Sequence, residues 1–306
     1  MSYDYTGQTV IITGAGGGLG RAHALAFAQR GASVVVNDFG GARDGSALES
    51  EGHSPAEQVA QEIIEAGGRA VAHQGDVTNM EHMQAMAALA MEQFGRIDVL
   101  VNNAGILRDK TFTKMPLEDY AKVVDVHLLG SVNATKAVLP YMQEQEYGRI
   151  VMTTSSSGLY GNFGQSNYGA AKLGLVGFMH TLKLEFSKYN ILVNSICPVA
   201  ATRMTEDILP PQMLEMLKPE FVSPAVLYLS AQSAPNGVIM TAGAGSFAVA
   251  RIEESEGLYL GQEATPEMIA ERWEHISDFS ESRGFKQGSD QSQKFVVNAF
   301  NAQNIS

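Results

Sequence analysis

Short, largely apolar runs rich in β-branched residues alternate along this chain with longer stretches in which apolar positions recur every three or four residues. The runs at 9–13, 33–37, 70–73, 97–101, 149–153, 191–195 and 238–241 are continuous rather than alternating. Strands of a parallel sheet covered on both faces have that pattern. Helical periodicity fills the intervals 19–30, 56–66, 81–94, 117–142, 166–188 and 224–231. Strand–helix alternation predicts an α/β fold: a doubly wound parallel sheet of Rossmann type with right-handed crossovers. Ligands of such sheets bind beyond the carboxyl ends of the strands, near the switch point.

Two segments break the rhythm. Residues 39–54 are rich in Gly, Ser and charge and show no periodicity. The second is the tail after Gly245, with its own helix start: Thr265 as N-cap, Pro266 at the first position and Glu267 in the first turn. One helix there would set Ile269, Trp273 and Ile276 on a single face. The expected organisation is a nucleotide-binding domain over 1–245 and a C-terminal helical extension over 246–306. The extension is expected to pack on that domain or on a partner subunit.

Composition narrows the class of function. In 306 residues, 45% hydrophobic and 18% charged content suits a globular protein with a substantial core. A net charge of −12 argues against nucleic acid as partner, because phosphate backbones want a basic face. The single cysteine, Cys197, forms no internal disulfide and lies in an apolar run, which suits a buried thiol and a reducing compartment. The first residues show no basic region followed by an apolar stretch, and no run approaches the roughly 20 apolar residues a spanning helix needs. The expectation is a cytoplasmic protein without membrane association. Seven dispersed histidines show no metal-ligand spacing, so no metal is expected.

Candidate chemistry sits at the strand ends. Thr13-Gly14-Ala15-Gly16-Gly17-Gly18-Leu19-Gly20 follows the first strand and opens the first helix. Glycines there allow a tight turn and close approach of a pyrophosphate to the helix N-terminus, so Gly14, Gly18, Leu19 and Gly20 are candidate cofactor residues. Asp38 ends the second strand. A carboxylate there accepts the adenosine ribose hydroxyls and repels a 2′-phosphate, which favours NAD over NADP. Asp76 and Val77 end the third strand and bracket an adenine. Asn103, Ala104 and Gly105 end the fourth, with backbone groups facing the cofactor. Tyr168 and Lys172, four apart, share one helix face. An ammonium beside a phenol is expected to lower a pKa normally near 10. Ser155, upstream, reaches the same reacting oxygen if the intervening loop folds back.

Taken in this order, the glycine-rich turn, Asn102-Asn103-Ala104-Gly105, Ser155 and Tyr168…Lys172 resemble the short-chain dehydrogenase/reductase family over residues 7–245. Asn37 to Gly41, Gly105 to Asp109, Tyr160 to Gln165 and Lys218-Pro219-Glu220 are similar to the (3R)-hydroxyacyl-CoA dehydrogenase branch of that family. The resemblance implies Ser155, Tyr168 and Lys172 as catalytic residues and Tyr168 and Lys172 also as cofactor contacts. It further implies NAD as cofactor, an acyl-CoA thioester as substrate and a homodimer. It matches Thr202 to a threonine that reaches the nicotinamide carboxamide. Two departures stand out. His127 occupies a position where the family usually has Asn, which suggests a packed structural histidine, and Pro198-Val199 stands where Pro-Gly is usual.

Alternatives remain open at this stage. Leu159, Tyr160 and Phe163 read either as an acyl slot or as loop packing. Arg108, Lys110, Lys114 and Arg203 read as contacts for CoA phosphates or as solvated charge. A 17β-hydroxysteroid dehydrogenase or a 3-oxoacyl-carrier-protein reductase shares the same core motifs, though the reductase usually prefers NADP. An NAD-sensing binding module would keep the fold without the chemistry.

Overall fold

The computed structural model describes residues 3–42, 44–46, 52–201 and 210–305. Its centre is one eight-stranded sheet in the order β3-β2-β1-β4-β5-β6-β7-β8. The strands are β1 (Thr9–Thr13), β2 (Ser33–Asp38), β3 (Arg69–Gln74), β4 (Val99–Asn102), β5 (Gly148–Thr153), β6 (Ile191–Pro198), β7 (Ile239–Gly243) and β8 (Ser246–Ala250). The first seven pair in parallel, with Val10 level with Val34 on one side and Val99 on the other. All five residues of β1 and all six of β5 are buried, as their unbroken apolar character requires in a sheet covered on both faces. The order reverses between β1 and β4, so the switch point lies above Thr13 and Asn102. β7 and β8 are joined by Ala244 and Gly245, whose φ of 50° and 74° form a left-handed pair suited to a two-residue hairpin.

The helices are α1 (Gly18–Ala28), α2 (Pro55–Glu65), α3 (Met80–Phe94), α4 (Leu117–Val124), α5 (Gly130–Glu144), α6 (Ser156–Tyr160), α7 (Ser166–Phe186), α8 (Pro211–Met216) and α9 (Ser223–Ser230). A reciprocal cap starts α2: Ser54 Oγ accepts from Glu57 N–H, and Glu57 accepts from Ser54 N–H at 2.7 Å. The single helix expected over 117–142 is instead two, separated by a π-helical turn at Asp125–Leu129. Val10, Ile12, Val34, Val36, Phe27 and Ile63 lie at the heart of the core on the α1/α2 face.

Residues divide into two compact units, Met1–Val249 and Ala250–Ser306. The second contains α10 (Pro266–Glu271), α11 (Trp273–Ile276) and α12 (Gly288–Ile305). Thr265 caps α10 as expected, its hydroxyl accepting from Met268 N–H. The expected continuous apolar face does not form, because the chain breaks at Arg272 into two short helices and leaves Ile269 and Trp273 exposed. Lys294 on α12 is buried, donating to Glu254 at 2.9 Å and to the Ser255 carbonyl. Among the described residues no helix is long and apolar enough to cross a membrane.

Candidate active site

The glycine-rich turn is built by exclusion of side chains. Gly14 has φ +64°, and a Cβ there would lie 2.7 Å from Ala104 Cα. A Cβ on Gly20 would overlap the Gly14 carbonyl and approach Ala15 Cα to 2.8 Å. Gly18 opens α1, whose first turn has no side-chain cap and no acidic residue. Its first N–H groups and the positive end of its dipole therefore meet no anion from the helix's own first turn. The end of β4 is laced to this turn. Thr13 Oγ1 accepts from Asn103 N–H at 3.0 Å and Ala104 N–H at 3.1 Å, and Asn103 Nδ2 donates to the Thr13 and Gly14 carbonyls at 3.0 Å each. Asn103 thus braces the turn with its side chain, a use that the Asn-Asn-Ala-Gly pattern alone did not reveal.

Asp38 holds the neighbouring loop. Its two oxygens accept from Gly16 N–H at 2.9 Å and Gly40 N–H at 2.8 Å. Asp76 Oδ1 accepts from Thr78 N–H, and the Val77 carbonyl accepts from Asn133. Gly14, Asp38, Asp76, Val77, Ala104 and Gly105 line one cleft. Leu19 stands in the first turn of α1 beside it. Thr202 and Arg203 lie outside the described residues. A larger hollow of about 510 Å³ in the second unit, bordered by Leu258, Tyr259 and His275, holds none of the expected site residues.

The second cluster forms where β5 meets α6 and α7. Ser155 caps α6, its Oγ accepting from Ser157 N–H at 3.2 Å. Helix α7 sets Tyr168 and Lys172 one turn apart. Gly158 brings α6 against α7, since a Cβ there would stand 2.9 Å from the Lys172 backbone. The Ser155 hydroxyl faces the Tyr168 phenol closely enough to pull its pKa down. Lys172 is 3% exposed; its Nζ donates to the Thr153 carbonyl at 2.6 Å and lies 5.5 Å from the Tyr168 ring centroid. Asn167 anchors the start of α7 by donating to the Arg108 carbonyl at 3.0 Å. The loop between Ser155 and Tyr168 does fold back, joining the three expected residues.

The sequence pattern described as short chain dehydrogenase matches residues 8–212. The chain belongs to the short-chain dehydrogenase/reductase family. It is 48% identical over 282 residues to a protein of Mycobacterium tuberculosis named as a short-chain type dehydrogenase/reductase, covering 91% of this chain and 98% of that one. It is 49% identical over 280 residues to peroxisomal multifunctional enzyme type 2 of Mus musculus, covering 90% of this chain but 37% of that enzyme. The full-length Drosophila melanogaster peroxisomal multifunctional enzyme type 2 superposes with a TM-score of 0.80 at 37% identity, over 96% of this chain and 49% of that one. The chain is thus an oxidoreductase acting on CH–OH groups, and it spans less than half of these multifunctional relatives.

Short-chain dehydrogenases typically bind NAD or NADP, and the cleft at the switch point fits such a dinucleotide. Side chains are excluded where a pyrophosphate would approach, the α1 N-terminus is uncapped, and a carboxylate stands at the end of β2.

The electrostatics correct one expectation for this dehydrogenase. Lys172 does not lower the Tyr168 pKa in this structure. Burial pushes the phenol up to about 12, against the opposing pull of the Ser155 hydroxyl. Burial likewise brings the Lys172 amine down to about 7 from its ordinary 10.5. The amine spends its short bond on Thr153 and lies over the ring rather than at the phenol oxygen. Near neutral pH the site therefore holds an un-ionised phenol and an amine close to its own midpoint.

His127, unassigned in the sequence beyond packing, is 2% exposed and lies against Tyr168, the ring centroids 5.0 Å apart at 87°. Chain separation hid that contact. At the rim, Tyr160 and Phe163 are 76% and 88% exposed. Their loop is tied down by Lys110 N–H to the Gly164 carbonyl and by Gln165 to Asp109. Arg108 and Lys110 both pair with Asp119, at 2.9 and 3.5 Å, so two of the basic residues read as phosphate contacts share one carboxylate. Lys114 makes no ion pair among the described residues.

Proposed function

We propose that this short-chain dehydrogenase oxidises (3R)-3-hydroxyacyl-CoA to 3-ketoacyl-CoA with NAD. The observation that carries the reading is the union of Ser155, Tyr168 and Lys172 beside a cleft whose β2 end presents Asp38. Ser155 Oγ and Tyr168 Oη hold the substrate oxygen between them, and Tyr168 is the group that exchanges its proton. Ser155 steadies the charge that develops on that oxygen. Lys172, near its midpoint at neutral pH and bonded to the Thr153 carbonyl, is the group that takes up and releases a proton behind the phenol. NAD, when bound, supplies the hydride acceptor; Gly14, the α1 N-terminus, Asp38, Asp76 and Val77 hold it. Asp38 sets NAD above NADP, because its carboxylate repels a 2′-phosphate.

The substrate class rests on the resemblance of Tyr160 to Gln165 to the hydroxyacyl-CoA branch and on exposed Tyr160 and Phe163, which offer an apolar wall to an acyl chain. We assign a homodimer from the same resemblance, and a reducing, cytoplasmic setting from the single buried Cys197. One observation favours a second reading. An un-ionised Tyr168 is ready to donate a proton, which suits reduction of a 3-ketoacyl group as on an acyl carrier protein.

The test is a panel followed by nicotinamide absorbance. It contains 3-hydroxyacyl-CoA thioesters of both configurations, a 17β-hydroxysteroid and a 3-ketoacyl carrier-protein substrate, each with NAD(H) and NADP(H). The (3R)-thioesters with NAD should give the highest kcat/KM. A higher value for the steroid, for the carrier-protein substrate or for NADP(H) overturns the assignment.

A further inference from the structure

His127 is a buried histidine to which the proton transfer just described gives no task. Four features hold its ring. It lies at the centre of the π-helical turn Asp125–Leu129, where Ser131 Oγ donates to the His127 carbonyl at 2.7 Å. Its Nε2 is 3.1 Å from the Ile106 nitrogen and 2.8 Å from the Ile106 carbonyl oxygen. Gly105 leaves room for it, since a Cβ there would overlap Cε1 and stand 2.8 Å from Nδ1. The ring meets Tyr168 edge to face.

These contacts do more than fill volume. Nε2 either accepts from Ile106 N–H or donates to the Ile106 carbonyl; each tautomer keeps one bond, so the ring stays anchored in both. Protonation is disfavoured, because burial and the Lys172 charge hold the imidazole well below its ordinary range. Nδ1 is buried without a hydrogen-bond partner. A neutral, immobile ring therefore walls the phenol at a distance typical of aromatic pairs. An asparagine, having no ring, would leave part of that wall open.

We propose that His127 is a positioning residue for Tyr168: its imidazole fixes the tilt of the phenol ring relative to Ser155 and keeps water from its face. The proposal rests on Tyr168 as the proton-exchanging group. A misplacement of about 1 Å at such a group costs on the order of a hundredfold in rate. Besides His127, the titratable groups that face the phenol are Lys172, whose Nζ lies 5.5 Å from the ring centroid, and Asp109 and Cys197, which raise its pKa.

The test uses the full chain with His127→Ala, His127→Asn and His127→Phe. Each is labelled with 3-fluorotyrosine, and the Tyr168 fluorine resonance is assigned by its loss in Tyr168→Phe. Fluorination brings the titration into a range where circular dichroism can verify the fold at each pH. The phenol midpoint should fall by about one pH unit or more in the alanine and asparagine variants, as water reaches the ring, and stay within about half a unit in the phenylalanine variant. With the best panel substrate, alanine and asparagine should lower kcat at least about tenfold with KM within about threefold, and phenylalanine should restore most of kcat. Folded alanine and asparagine variants that titrate like the parent overturn the proposal. So does loss of folding in those two, which would assign His127 to the core alone. The fluorine titration needs no substrate, so a panel without turnover sinks the functional reading and leaves this comparison to be decided separately.

Discussion

Lys172→Met should make the protein more stable at neutral pH while removing its activity. The amine is 3% exposed, donates to one carbonyl and has no ion pair among the described residues. Burial takes its pKa from 10.5 to about 7. At about 1.4 kcal/mol per pH unit, keeping the charged form folded costs about 5 kcal/mol. Methionine has similar length and no charge, but leaves the Thr153 carbonyl without its donor, a loss of about 1–3 kcal/mol. The net gain at pH 7 is about 2–4 kcal/mol. Its pH dependence fixes the cause. Between about 7 and 10.5 the unfolded chain holds the proton and the folded chain releases it, so wild-type stability rises with pH through that window. The advantage of methionine is then greatest at and below neutral pH, crosses zero between about pH 8.5 and 10, and turns into a deficit of about 1–3 kcal/mol near 10.5, where only the lost Thr153 bond remains. Urea unfolding of both proteins, followed by circular dichroism from about pH 6 to about pH 10, measures it. A variant less stable than wild type at neutral pH, or a gap that pH leaves unchanged, refutes the reasoning. Turnover should fall by about a hundredfold or more, since the proton route through Lys172 is gone.

Asp38→Ala removes the acceptor of two backbone N–H groups and the charge that disfavours a 2′-phosphate; the ratio of NADPH to NADH dissociation constants, read by fluorescence titration, should move about tenfold or more toward NADPH. Gly20→Ala forces a methyl group onto the Gly14 carbonyl and against Ala15, both backbone. It should cost about 1–3 kcal/mol by thermal melting and weaken NADH binding together. Arg149→Met should cost about 3–5 kcal/mol in urea unfolding without changing NADH affinity, because buried backbone carbonyls lose their donor. Its guanidinium, 1% exposed, donates to the carbonyls of Gly148, Asn190, Ala231 and Gln232 and lies 4.2 Å from the Tyr147 ring, at the amino end of β5, away from the cleft at the carboxyl ends of the strands.

The central strands were legible because a sheet covered on both faces leaves no polar alternation to confuse their reading, as in Val34-Val35-Val36. Their limits were less so. β4 begins at Val99 although Ile97 and Asp98 are equally buried: the Ile97 N–H and carbonyl both bond the Gln145 side chain rather than a neighbouring strand, and Asp98 is the first residue to exchange backbone bonds with Thr9 and Arg149. The break at Asp125–Leu129 was invisible because a π turn widens the helix without changing its composition. β8 and α12 escaped notice for another reason: one is exposed along most of its length, the other is rich in Asn, Gln and Ser, and neither shows the periodicity of a buried face. The site divides in the same way. Spacing along α7 guarantees that Tyr168 and Lys172 meet, and a strand–turn–helix context guarantees where Gly14 to Gly20 point. Burial is a property of the assembled fold, and here it reverses the sign that two adjacent side chains suggest in solution. The phenol is raised, not lowered, and the amine's pKa is brought down to about 7 by the same desolvation. His127 follows from that principle, since its nearness to Tyr168 is made by packing between α7 and the turn before α5 rather than by any spacing in the chain.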